Sequence, residues 1–283
     1  MTDTLPEREF EFTQADFKRV CELIRAHAGI ALAASKHEMV YTRLVRRLRA
    51  LSVARFSDYL DRLERDDGEE WEHFTNALTT NLTSFFREPH HFPILSRLLK
   101  SLHRNRPLRI WCAAASTGEE PWSLAICACE TFDTLSPPVQ ILASDVDTNV
   151  LATAKAGVYD MERVTHLPQS QLQRFFQRGT GENSGLVRMH PKLHELMSFR
   201  AINLLDSHYG LSAPFDAIFC RNVMIYFDKP TQYRVLQNLM PLLEPDGLLF
   251  AGHSESFFHA ADIVRLREHT VYERIMAPGS LKK

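Results

Sequence analysis

The chain has 283 residues, 45% of them apolar and 24% charged, with a formal net charge of −2. That length buries a sizeable core and divides naturally into one large and one small domain. The near-neutral balance offers nucleic acid no general attraction, and no apolar run reaches the roughly 18 residues needed to span a bilayer. The acidic start MTDTLPEREFEF lacks the basic-then-apolar layout of a secretion signal. Five cysteines (Cys21, Cys112, Cys127, Cys129, Cys220) show no C-x-x-C spacing and read as buried, reduced thiols of a cytoplasmic protein.

From Thr13 to about Thr80 apolar residues recur at helical spacing. Thr13 with Asp16 is a capping-box start, Phe17, Val20, Leu23 and Ile24 follow, and Gly29 ends the helix. Ser35 with Glu38 predicts a second start, for a helix running to about Leu51. Ser57 is the expected cap of a third helix, with Tyr59, Leu60 and Leu63 as its apolar side. Trp71, Phe74 and Leu78 mark a fourth. These elements predict a small all-helical domain over residues 1–85.

Beyond about Arg106 short apolar runs bounded by turn residues alternate with helical stretches. The runs are Leu108–Ala113, Val139–Ala143, Phe215–Cys220 and Gly247–Gly252. The helical stretches lie at about Pro121–Thr131, Asp147–Ala156 (with Asp147 as cap) and Lys229–Leu243. Such alternation predicts a doubly wound α/β domain over residues 86–283, with a largely parallel sheet. Leu172–Phe199 interrupts it with the Gly-rich stretch Arg178-Gly179-Thr180-Gly181 to Gly185, then Leu186–Met189. It reads as a small β insertion, a short hairpin, at about residues 172–199.

In a doubly wound domain, ligands bind outside the carboxyl ends of the strands. The first strand leads into Ala113–Pro121, where small residues and a helix N-terminus allow close backbone approach to a ligand. No P-loop pattern is present, and two glutamates, Glu119 and Glu120, would repel a phosphate. They suit either the helix dipole or a ligand with a positive centre and hydroxyls, such as S-adenosylmethionine. The second strand ends at Asp145, the position that holds ribose hydroxyls in this architecture, while Asp147 is free to cap the next helix. Phe215–Cys220 is followed by Arg221, Asn222 and Tyr226 instead of the [DN]-P-P-[YF] element of amine-methylating enzymes. Tyr226 either lines a reaction site or packs beneath it. Asn81–Pro89, an aromatic and polar cluster, lies just before the α/β domain, at a place where pockets are common.

Several of these segments resemble the chemotaxis receptor methyltransferase (CheR) family. They are Asn81–Glu88 (NLTSFFRE), Ala114–Pro121 (AASTGEEP), Ala143–Asp147 (ASDVD), Phe215–Asp228 (FDAIFCRNVMIYFD) and Pro245–Glu255 (PDGLLFAGHSE). The motifs stand in order, and the match spans roughly Phe10 to Tyr272. The resemblance implies a helical domain joined to a class I S-adenosylmethionine-binding methyltransferase domain. The implied reaction is methyl transfer to glutamate side chains of chemoreceptor cytoplasmic domains, with S-adenosylhomocysteine as the other product and no metal.

By matching motifs, Asn81, Thr83, Arg87, Asp145, Asn203, Leu204, Arg221 and Asn222 are expected to contact the cofactor. So is a glutamate of the Gly118-Glu119-Glu120 turn, where the motif favours Glu120 and leaves Glu119 open. Arg87 and Tyr226 occupy positions that the family places near the transferred methyl group. Arg178, Gly179, Gly181, Gly185 and Arg188 resemble the insertion of members that dock on a short aromatic and acidic peptide at a receptor's C-terminus. Arg43, Arg46 and Arg47 fall within roughly 100° of one another on one helix, beside the apolar stripe Val40, Leu44, Leu48, Leu51. An arginine face of that kind is either solvated or, as the family suggests, a docking surface for an acidic receptor. A monomer is expected.

A glutamate carboxylate is already ionised at neutral pH, so its oxygen attacks a sulfonium methyl without a general base. No Ser–His–Asp or Cys–His arrangement is recognisable, and His90, His91 and His253 lack metal-ligand spacing. Two other readings stand beside this one: a methyltransferase acting on small molecules or RNA, and a non-catalytic adaptor.

Overall fold

The computed structural model describes residues 9–65, 68–212 and 214–275. The acidic start, as far as residue 8, lies outside the described residues. The chain divides into two compact units, Met1–Thr80 and Asn81–Lys283. This division falls ahead of the boundary expected after residue 85. The reason is Phe85, whose buried ring packs edge-on against Tyr159 and Phe176 of the second unit.

The described part of the first unit contains helices α1 (Gln14–Ala28), α2 (His37–Leu51), α3 (Phe56–Arg65) and α4 (Glu69–Leu78). The Thr13–Asp16 capping box forms reciprocally, and Gly29 ends α1 with φ 73°. The Ser35–Glu38 box does not form. Ser35 lies in a short 3-10 turn, Ala34–Lys36, and α2 begins at His37 without a side-chain cap. Ser57 is inside α3. Val20, Ile24, Leu44, Leu48, Leu60 and Phe74 meet in one core with no exposed surface, each contributing about 1.5–3 kcal/mol by burial.

The second unit opens with α5 (His91–Ser101), an element the sequence reading lacks. It continues through β1 (Leu108–Cys112), α6 (Glu119–Phe132), β2 (Val139–Asp145) and α7 (Thr148–Ala156). Next come β3 (Val158–Asp160), α8 (Gln169–Phe175), β4 (Phe176–Arg178), β5 (Leu186–Met189), α9 (Pro191–His194) and β6 (Met197–Ala201). The last elements are β7 (Phe215–Cys220), α10 (Lys229–Leu239), β8 (Leu243–Ala251), β9 (Val264–Glu268) and β10 (Val271–Arg274). The main sheet has the order β6-β2-β1-β7-β8-β10-β9. β6, β2, β1, β7 and β8 are parallel, and β10 and β9 form an antiparallel edge. The chain runs outward from β1 through β2 to β6, then returns to β7 on the other side of β1. That reversal puts the topological switch point between β1 and β7.

The insertion is larger at its start and smaller at its end than expected. β4 and β5 form the hairpin, but β3 pairs with the other edge of β5, giving a three-stranded sheet β3-β5-β4. Met197–Ala201, placed in the insertion by sequence, is an edge strand of the main sheet.

Candidate active site

The five parallel strands deliver their carboxyl ends side by side, and each end carries polar residues. Asp145 closes β2. Its buried carboxylate accepts the backbone N–H of Ser116 at 2.7 Å and of Asp147 at 3.0 Å. Burial pushes its pKa up to about 6, against the opposing pull of those N–H groups. Asp147 does the capping work, accepting the N–H groups of Asn149 and Val150. It also accepts Asn81 Nδ2–H at 2.9 Å, and the Asn81 carbonyl accepts the Ser116 hydroxyl at 3.2 Å. The Asn81–Glu88 segment is thus stitched to the ends of β1 and β2. On the far side of β2, Ala201 pairs with Asp145, so Asn203 and Leu204 leave the sheet one strand over from that carboxylate. Asn203 Oδ1 accepts Leu205 N–H at 3.0 Å, and Leu204 is buried.

After β1 the chain turns through Ser116 (φ 50°) and Gly118 (φ 100°) into α6. A side chain at Gly118 would meet the Tyr159 hydroxyl at 2.6 Å and Ala154 Cα at 2.7 Å. That hydroxyl donates to the Thr117 carbonyl at 2.9 Å, pinning the turn from β3. The two glutamates part here. Glu119 accepts the Thr117 hydroxyl at 2.6 Å and pairs with Arg163. Glu120 lies 3.0 Å from Arg221 Nη1 and accepts the Cys112 thiol at 3.3 Å. Burial raises the Glu120 pKa, while the Arg221 charge and, more weakly, that of Arg87 hold it down.

Arg221, at the end of β7, has a fully buried guanidinium. Its Nη2 donates to the Arg87 carbonyl at 2.5 Å and lies 3.5 Å from Glu88 Oε2. Nε and Nη1 make no aligned hydrogen bond, so two buried donors have bonds still to give. Arg87 itself is half-buried and donates from Nη1 to the Leu82 carbonyl at 2.9 Å. Thr83, next to Leu82 in the chain, is half-buried too. Tyr226 is half-buried at the end of the 3-10 turn Met224–Tyr226.

Phe86, Glu88, Ser116 and Asn222 are non-glycine residues with φ between 50° and 57°. Such conformations persist only where the surroundings enforce them, and they concentrate at functional sites. Here all four fall in the loops around the strand ends. The buried Asp145 carboxylate, the Glu120–Arg221 ion pair and the unbonded Arg221 Nε give these strand ends the mixed charges and acceptors that suit an amino-acid nucleoside.

The family profile described as CheR methyltransferase, SAM binding domain, matches residues 81–272, and that of the CheR all-alpha domain matches residues 15–79. The chain belongs to the CheR methyltransferase family. It is 53% identical to chemotaxis protein methyltransferase 2 of Pseudomonas aeruginosa over 94% of this chain and 95% of that one. It is 50% identical to the chemotaxis protein methyltransferase of Salmonella typhimurium (96% and 98% covered) and 51% identical to that of Escherichia coli K12 (92% and 91%). The α/β unit is therefore the SAM-binding methyltransferase domain, and the helical unit is the family's all-alpha domain. No helix among the described residues is long and apolar enough to cross a membrane.

Several residues of this CheR domain have no site role in the sequence and acquire a place at the strand ends in the structure. Glu88 Oε1 accepts His253 N–H at 3.1 Å, and His253 Nδ1 lies 3.0 Å away. Burial pushes the Glu88 pKa up, but Arg221, His253 and Asn222 outweigh it and hold it at about 2. His91, fully buried, is pushed down to about 4 by burial and by the neighbouring positive charge of Arg221. Glu88, His90 and His91 bring possible metal-ligand atoms within 4.8 Å of one another. Arg221 already supplies the counter-charge of Glu88, so a dication there would face a buried guanidinium. Glu255, buried behind β8, accepts the amides of Asn222 and Gly252. A buried carboxylate leaves no signal in sequence beyond its letter.

The arginines expected to dock the receptor separate in the structure. Arg47 makes a two-bonded pair with the buried Glu70, at 3.0 and 2.6 Å, and Tyr59 donates to the same carboxylate at 2.8 Å. Arg43 donates to the carbonyls of Ala77 and Thr79, satisfying the end of α4. Arg46 is exposed. In the small sheet, Arg178 pairs with buried Val187, and Arg188 pairs with Gln177. Side chains alternate along a strand, so Arg178 and Arg188 point to opposite faces of the hairpin. Gly181 and Gly185 have φ of 60° and 91°, and a Cβ at Gly179 would meet the Asn183 carbonyl at 2.1 Å. These glycines shape the turn.

Proposed function

We propose that this CheR methyltransferase moves a methyl group from S-adenosylmethionine to glutamate side chains in the cytoplasmic domain of a chemoreceptor. The products are glutamate methyl esters and S-adenosylhomocysteine. The relatives at 50–53% identity carry the name chemotaxis protein methyltransferase, which supports a chemoreceptor as partner.

One observation supports the choice of glutamate: each carboxylate described around the strand ends already has a partner. Glu119 is held by Arg163, Glu120 by Arg221, Glu88 by His253 and Asn222, and Glu255 and Asp145 by backbone amides. His91 turns Nε2 to the His269 carbonyl. A lysine or hydroxyl substrate needs a base to take its proton. A glutamate arrives ionised and needs only alignment.

When bound, the cofactor supplies a methyl group on a sulfonium, activated toward attack by an oxygen anion. In this reading Asp145 accepts the ribose hydroxyls, with Asn203 and Leu204 beside it. Glu120 takes the amino group, while Glu119 secures the turn. Arg221, Asn222, Asn81 and Thr83 complete the cradle. Arg87 orients a carboxylate, either the cofactor's or the substrate's, and Tyr226 lines the reacting end. A rigid two-bonded grip on the substrate carboxylate would lower its nucleophilicity, and Arg87 gives one of its own donors to Leu82. Arg46 on the helical domain and Arg188 on the small sheet are the docking arginines. An acidic receptor peptide adds to the edge of that sheet.

Incubation with methyl-labelled cofactor and receptor cytoplasmic fragments tests the proposal. Label in glutamate that mild alkali releases as methanol supports it. Alkali-stable label points to another acceptor atom, and no label points to a non-catalytic adaptor; either result overturns it.

A further inference from the structure

Asn222 stands in the left-handed region at φ 57°, and three separate features enforce that placement. Glu255 Oε2 accepts its backbone N–H at 3.1 Å and that of Gly252 as well, lacing the end of β7 to the end of β8. Glu88 Oε1 accepts Asn222 Nδ2–H at 3.3 Å. Gly252 leaves the room: a Cβ there would lie 2.3 Å from Asn222 Nδ2 and 2.9 Å from its backbone N.

Glu255 is an expensive way to tie two strand ends together. Its side chain is buried, and among the described residues no cationic side chain pairs with it. Asp216, the buried carboxylate at the opposite end of β7, is by contrast paired with Arg104 and Arg106. Burial raises the Glu255 pKa, and the backbone amides of Gly252, Asn222, Met224 and Ile225 oppose it. A carboxylate held by amides gathers several N–H groups of one loop to a point. That loop is the one that begins at Arg221 and carries Tyr226.

We propose that Glu255 is a positioning residue for cofactor binding: by collecting the Asn222 and Gly252 amides it holds the Arg221–Tyr226 loop in the conformation that presents Asn222 to the cofactor. The inference rests on the reading of Asn222 as a cofactor contact. It adds to that reading a residue that touches neither cofactor nor substrate. Replacing the carboxylate by a carboxamide keeps its size but removes the charge that strengthens the bonds to the Asn222 and Gly252 amides, and its N–H comes to face the neighbouring amides of Met224 and Ile225, so the hold on the loop weakens.

Cofactor affinity by calorimetry and melting temperature, read on the full chain, test this. Glu255→Gln should weaken S-adenosylmethionine binding by about tenfold, the equivalent of one lost charge-assisted hydrogen bond. Gly252→Ala should weaken it in the same direction by pushing Asn222 directly, and it decides the matter if Glu255→Gln does not fold. Asp216→Asn is the control for a merely structural role: a lower melting temperature with unchanged affinity. If Asn222→Ala weakens binding while folded Glu255→Gln and Gly252→Ala bind like the parent, the positioning role is overturned and the cofactor role of Asn222 stands. If Asn222→Ala itself binds like the parent, that cofactor role fails and takes the purpose assigned to Glu255 with it.

Discussion

Arg221 Nη1 lies 3.0 Å from Glu120 Oε2, with the guanidinium fully buried and the Glu120 side chain 9% exposed. The two come from different elements, the end of β7 and the first turn of α6, on either side of the switch point. Glu88 supplies a second carboxylate at 3.5 Å. One buried cation thus balances two buried anions, and the balance holds three loops in register.

Removing the cation should therefore cost more than a surface pair would. Arg221→Ala leaves Glu120 and Glu88 facing each other without a counter-charge, a change worth about 3–5 kcal/mol for a broken buried pair. Denaturant unfolding of the variant should show a loss of that order, together with a further rise in the Glu120 pKa. A loss below about 1 kcal/mol, the range of exposed pairs, would refute the buried-pair account.

Under the proposed ribose role, Asp145 should make cofactor affinity depend on pH. Its carboxyl titrates at about 6 in the folded chain, and only the ionised form accepts two ribose hydroxyls. Affinity should be full above about pH 7 and fall as pH drops through about 6, approaching a tenfold loss per unit. The sign for the ligand-free fold is opposite. A carboxyl whose pKa is raised by folding costs stability as pH rises from about 4 to about 6. Calorimetry across this range checks the binding limb. Asp145→Asn should bind weakly and without that slope.

The parallel core and most strand ends are legible in the sequence because strand, turn and helix succeed one another with short connections. The Val264–Arg274 hairpin is not. Its turn residues, His269 and Thr270, take φ of 39° and 62° without the Asn-Gly or Asp-Gly signal that such turns usually carry. Met197–Ala201 is hidden for another reason: as an edge strand it is largely unburied and lacks a continuous apolar run. At the site, Asn81 is stitched to the end of β2, where Asp145 stands, and Arg221 closes β7 two strands away; all three are legible because they stand at strand ends or are tied to them. Glu88 and Glu255 close two of the family motifs, but the sequence gives them no role, since their roles depend on burial and on partners brought in from other strands.

Arg46 and Arg47, neighbours in the chain, should behave differently. Arg47→Ala strands Glu70 in the helical core and should lower stability by about 3 kcal/mol or more. Arg46→Ala should leave the melting temperature unchanged and reduce the rate of receptor methylation at low salt, since an exposed docking charge acts through attraction. Equal melting temperatures for the two variants would contradict this division.

On the small sheet, Arg188→Glu should weaken binding of an acidic receptor peptide and leave cofactor affinity untouched. Arg178→Glu, on the opposite face, should have the smaller effect. Fluorescence titration with the receptor's C-terminal peptide checks both. Unchanged peptide affinity in Arg188→Glu, or a parent that never binds the peptide, would remove the docking role from this sheet.

A glutamate substrate that arrives ionised needs no base from the site. The most direct measurement is the single-turnover rate of methyl transfer to a receptor fragment, at saturating cofactor, from about pH 7 to about pH 9, well above the roughly 4.3 at which a glutamate ionises. The account predicts a flat profile across that range. A rate that climbs about tenfold per pH unit would mean that a proton must first be removed from the acceptor, and would contradict it.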